Sequence, residues 1–74
     1  MTISESLKRF RKHFGVTQQQ VATAIGVLKP SYQRYEYSTN IPSATVLIKI
    51  ADAYNVSLDY LVGRTDNPQV NRAV

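Results

Sequence analysis

Apolar residues recur along this chain at helical spacing, and no stretch shows the two-residue alternation of a half-buried strand. Leu7, Phe10, Arg11 and Phe14 fall at i, i+3, i+4 and i+7, an apolar stripe with an arginine set in it. The pattern predicts a first helix from about Ser4, read as its cap, to Phe14, with Glu5 at the positive end of the helix dipole and Gly15 as the stop. Thr17 and Gln20 stand at capping-box spacing ahead of Val21, Ala22 and Ile25, which places a second helix at Gln18–Ile25, ended by Gly26. A third runs from about Lys29 to Glu36. Tyr32, Tyr35 and Glu36 share its inner face, and Lys29, Pro30, Gln33, Arg34 and Tyr37 share the outer one. Leu28 stands in the cap position and cannot cap. Pro30 biases Lys29 away from helical geometry, which points to a start at Pro30.

Ser43 caps a fourth helix with a buried stripe of Val46, Leu47, Ile50, Ala51 and Tyr54, closed by Asn55. Ser57 caps a fifth, in which Leu58, Leu61 and Val62 are apolar and Gly63 is the stop. The expectation is an all-α fold of five helices over residues 1–63. Residues 64–74 are polar, contain Pro68 and lack an apolar period, so they read as a flexible tail.

The second and third helical patterns, joined across Gly26 by a short turn, have the form of a helix-turn-helix, whose second helix enters the DNA major groove. Charge placement fits this. Residues 1–35 hold Lys8, Arg9, Arg11, Lys12, Lys29 and Arg34 against Glu5 alone, whereas the rest holds Lys49, Arg64 and Arg72 against Glu36, Asp52, Asp59 and Asp66. A phosphate-facing surface requires that asymmetry, although a solvated charged face would also produce it.

Composition excludes other classes. The chain has 74 residues and 43% hydrophobic content, enough for one modest core. Without cysteine there is no disulfide framework and no thiolate metal site, and a single histidine builds neither a metal nor a catalytic cluster. His13 lies on a charged helix face and reads as solvent-exposed. Nothing assembles a nucleophile, a base and oxyanion donors, so no enzyme activity and no cofactor are expected. No apolar run approaches membrane-spanning length and no signal peptide precedes the first helix, which makes a cytoplasmic protein the simplest reading.

Thr17-Gln18, Val21-Ala22, Ile25-Gly26-Val27, Tyr32, Tyr35-Glu36, Pro42-Ser43 and the run Val56 to Gly63 together resemble the phage lambda-type repressor and Cro family of small regulators. The resemblance spans about residues 3–63, nearly the whole chain. It implies a five-helix lambda-repressor-like domain and a sequence-specific regulator, a Cro-like repressor binding double-stranded DNA at a palindromic operator as a homodimer. It implies base reading by Lys29, Pro30, Gln33 and Arg34, and backbone contact by Gln18 and the Thr39–Asn40 loop. Lysine and arginine suit guanine, and glutamine suits adenine. Arg11, on the buried side of its helix, needs a partner, which in the family is the residue matching Glu36. Ser38 stands where relatives carry a left-handed glycine, at a cost of about 1 kcal/mol. An alternative uses the same scaffold as a protein-interaction module, a co-repressor or antirepressor that meets a second repressor through Leu28 and Tyr37.

Overall fold

A computed structural model of the chain describes residues 1–70. Five helices follow in order: α1 (Ile3–Phe14), α2 (Gln18–Ile25), α3 (Lys29–Glu36), α4 (Ala44–Tyr54) and α5 (Leu58–Leu61). Among the described residues there is no strand. The fold is all-α, as the periodicity indicates.

Local chemistry sets most of the boundaries. Thr17 and Gln20 cap α2 reciprocally, and Gly26 closes it in the left-handed region. Ser43 and Ser57 each accept a backbone N–H at the start of α4 and α5, and Asn55 ends α4 at φ 51°. The start of α1 differs from expectation. Thr2 is its cap: the Thr2 hydroxyl accepts from the Glu5 amide while the Glu5 carboxylate accepts from the Thr2 amide, at 3.1 and 2.8 Å. Ser4 is displaced from that role because it lies inside the helix and buried, where its hydroxyl donates to the Tyr35 carbonyl at 2.7 Å. Helix α3 begins at Lys29 rather than Pro30. Leu28 has the extended conformation of a cap residue and offers no side-chain acceptor. Pro30 is tolerated because the first-turn N–H it lacks has no acceptor within the helix.

Helix α3 packs on α1 and α2, α4 on α2 and α5, and α5 returns to α1. Leu7, Phe10, Val21, Ala22, Ile25, Tyr32, Ile50, Val56 and Leu61 fill the space between them. The Tyr32 ring is fully buried between the helices. In α5 the expected roles shift: Tyr60 is buried and Leu58 is 43% exposed. The helix is only one turn long, too short for a stripe to identify its buried face.

Gly63 follows α5 at φ 87°, and a Cβ there would sit 2.7 Å from the Ser6 hydroxyl and 3.0 Å from the Met1 carbonyl. Only glycine fits where the chain crosses the start of α1. The segment after it is fastened where the sequence reads as a tail. Arg9 donates to Asp66 and to the carbonyls of Tyr60 and Thr65, at 2.7–3.0 Å, with its guanidinium 4.0 Å over the Tyr60 ring. The Pro68 carbonyl accepts from the Ser57 amide at 2.9 Å. The last four residues of the expected tail lie outside the described residues.

Candidate nucleic-acid interface

Helices α2 and α3 form the helix-turn-helix. Gly26 turns the chain and Val27 donates to the Ala22 carbonyl, so α3 leaves at a fixed angle from the end of α2. Fully buried Ala22, with no side chain beyond Cβ, lies in the tight packing around the turn.

Beneath α3 lies a buried polar cluster. Glu36 is 1% exposed and receives both Nε and Nη2 of Arg11, the latter at 2.9 Å. Gln18 adds a third hydrogen bond through Nε2 at 3.1 Å. Burial alone would raise the Glu36 carboxyl; hydrogen bonds from Arg11 and Gln18 outweigh it and hold the group below the usual carboxylate range. The same bond to Glu36 raises Arg11 further above its ordinary value. Burial, with Glu36 nearby, holds the Tyr32 phenol protonated well above its usual range.

The candidate reading residues divide. Lys29, Pro30 and Arg34 are exposed on the outer face of α3, and neither cation forms an ion pair among the described residues. Gln33 is half-buried and donates through Nε2 to Gln18 Oε1 at 3.0 Å. The Gln18 side chain is thus engaged at both ends within the protein, leaving the first-turn backbone amides of α2 as its outward donors. Lys29 borders the same shallow groove as Thr17, Gln18 and Gln19, next to those amides. In the loop after α3 the Thr39 hydroxyl donates to the Arg34 carbonyl at 3.2 Å, and the Thr39 and Asn40 amides converge on that same carbonyl. Both residues are exposed. Leu28 and Tyr37 are 76% and 60% exposed, at opposite ends of α3.

Two long-range contacts lie beyond the reach of sequence reasoning. Ser38, at φ 63°, donates its hydroxyl to Ser4 at 2.8 Å, tying the loop after α3 to α1. Arg9, counted in the basic half, is spent on α5 and the segment after it. Of the four cations on α1, Arg9 and Arg11 are paired internally, while Lys8 and Lys12 are exposed.

A family model described as a helix-turn-helix matches residues 7–61. The chain belongs to that family. Among curated proteins, the cryptic phage CTXphi transcriptional repressor RstR of Vibrio cholerae is 44% identical over 71 residues, covering 93% of this chain and 63% of its own length. The uncharacterized HTH-type transcriptional regulator YqaE of Bacillus subtilis is 40% identical, covering 90% of this chain and 58% of itself. The chain therefore spans about three-fifths of the length of these relatives. Among solved structures, the solution structure of the P22 c2 repressor DNA-binding domain superposes with a TM-score of 0.79 at 25% identity, covering 96% of this chain and 92% of that one. The P22 c2 repressor in complex with a synthetic operator superposes at 0.76 with 23% identity, over 88% of this chain and 98% of that one, which speaks for the fold.

Proposed function

We propose that this helix-turn-helix protein is a sequence-specific transcriptional regulator, a phage-type repressor that places α3 in the major groove of operator DNA. The observation that carries this is the unpaired outer face of α3. Lys29 and Arg34 stand exposed beside the α2 N-terminus, while the other charges under the helix are neutralised internally. Buried pairing below and free cations above give a surface built to meet an anionic, hydrogen-bonding partner. Relatives named as a phage transcriptional repressor and a prophage-derived transcriptional regulator support the same reading.

Lys29, Gln33 and Arg34 read base edges, and Pro30 offers apolar contact to a thymine methyl. The amides at the start of α2, with Thr39 and Asn40, hold phosphates. Two copies bind half-sites about 34 Å apart. Their contact is the apolar surface where Ile48, 47% exposed, and Leu58, 43% exposed, border one groove with Ala44 and Val62. The site of action is the cytoplasm, where operator DNA is found. The exposure of Leu28 and Tyr37 favours a second reading, contact with another repressor. Nine positions apart along the helix, the two are separated by about 13 Å and form no joint patch.

Selection of duplexes from a randomised pool by the purified chain tests this reading. A two-fold symmetric sequence should emerge, with affinity falling steeply as salt rises. A pool that stays random, or binding indifferent to salt, would overturn it.

A further inference from the structure

The apolar surface assigned above to the contact between two copies carries one charge of each sign. Ile48, Leu58 and Val62 line its groove together with Asp59 and Arg64. The backbone holds the two charged residues side by side, because the Arg64 amide donates to the Asp59 carbonyl at 2.8 Å. Their side chains stand 3.8 Å apart, beyond hydrogen-bond length, and are 77% and 60% exposed. The two other ion pairs among the described residues are closer, and each has one member largely buried. A long, hydrated contact of this kind contributes little within one chain, so either group can change partner at small cost.

We propose that Asp59 and Arg64 are the pairing code of this surface: across a two-fold axis the Arg64 of each copy turns to the Asp59 of the other, so the face accepts a second copy of this chain and rejects a chain with like charges at either position. The proposal rests on the reading of this surface as the contact between copies, and adds what selects the partner. A two-fold contact is self-complementary, with residue i on j and j on i. A patch charged with one sign repels its own copy, whereas a patch with one charge of each sign can meet itself. From Leu58 to Val62 the chain advances only about 6 Å. An axis through the apolar centre therefore passes close to both charges, and the four in the pair alternate in sign around it. As the centre closes and water leaves, each attraction strengthens and a like-charge meeting becomes costly.

Sedimentation of the unaltered chain, Asp59→Arg, Arg64→Asp and the double variant tests this. Each single variant sets like charges against each other twice, so its dimer dissociation constant should rise roughly tenfold or more. The double variant exchanges the signs and should pair as the unaltered chain does. An equimolar mixture of the two single variants should also pair, with opposite charges meeting on both sides, although neither variant pairs alone. A role confined to one chain cannot produce that result, because each single variant keeps two like charges whatever it is mixed with. Arg64 lies outside every helix and is exposed, so Arg64→Asp decides even where Asp59→Arg, in the first turn of α5, fails to fold. Unchanged association of Arg64→Asp overturns the proposal, as does a mixture of folded single variants that stays dissociated. Failure of the two-copy reading itself looks different, because the unaltered chain would then sediment as a monomer at every concentration and the code would fall with it.

Discussion

Glu36 accepts two hydrogen bonds from Arg11, and of the pair only the arginine reaches water, its side chain 24% exposed against 1% for the glutamate. The two ends of this ion pair are therefore unequal. Arg11→Met strands a carboxylate in the interior and should destabilise the domain by about 3 kcal/mol. Glu36→Leu leaves an arginine able to swing outward, and should cost roughly 1–2 kcal/mol. The double variant should lose less than the two single losses added together. Urea midpoints measure all three; equal and small losses in both single variants would show the pair to be dispensable.

The same pair sets the acid limit. Hydrogen bonds from Arg11 hold the Glu36 carboxyl below its ordinary value in the fold, so the folded form holds the proton less tightly than the unfolded chain. Its stabilisation is complete above the unfolded value and disappears as pH falls through the folded one. Thermal melts from pH 6 down to pH 2 should show a steep loss below about pH 4, and Glu36→Gln should flatten that part of the curve. An unchanged acid slope in Glu36→Gln would assign the loss to other carboxylates.

Helix α3 starts without a side-chain cap. Leu28→Ser supplies an acceptor at a residue whose backbone, at φ −72° and ψ 147°, already has cap geometry. The expected gain is about 1 kcal/mol, or roughly 4–8 °C in Tm. A Tm that stays put or falls would mean that exposed Leu28 contributes packing that its position conceals.

Ser38 holds a left-handed conformation that costs a non-glycine residue about 1 kcal/mol, and its bond to Ser4 offsets a similar amount. Ser38→Gly relieves the strain and loses the bond, so it should lie within about 0.5 kcal/mol of the parent. Ser38→Ala keeps the strain and should lose about 1 kcal/mol. Should alanine match the parent in chemical denaturation, the hydroxyl bond contributes nothing.

Arg9 and Arg34 carry the same charge and should behave oppositely on DNA. Arg34→Met removes a base-reading cation from the DNA face, so it should relax base preference at one operator position and lower the slope of log K against log salt. Arg9→Met should leave that slope alone and lower Tm, because the guanidinium already binds Asp66, Thr65 and Tyr60. Loss of salt dependence in Arg9→Met would place that residue on the DNA instead.

Legibility in the sequence follows the range of each interaction. Thr17, Ser43, Asn55 and Ser57 act within one helical turn, and residue type with spacing suffices to locate them. Ser4 was the plausible but wrong cap for α1; the signal for Thr2 was the acidic residue three positions on, a spacing that Ser4 lacks. The exposed cations Lys29 and Arg34 are legible because the tyrosines on the other side of α3 are plainly core. The hydrogen bond from Gln33 to Gln18 depends on how two helices cross, which no local rule supplies. Arg9 finds partners 51 to 57 residues away, beyond any periodicity.

The ends of α3 are held very differently. At its C-terminal end Arg11 grips Glu36, and Ser4 grips both the Tyr35 carbonyl and Ser38. At its N-terminal end Leu28 grips nothing with its side chain. Local fraying is easiest where the fewest bonds must break, so thermal fluctuation in this helix concentrates in the turn around Lys29 and Pro30. In the proposed docking, that turn is the leading tip of the helix that enters the groove. Ordering it on contact draws on only a few residues, so the heat-capacity change of DNA binding should reflect buried surface with little contribution from folding.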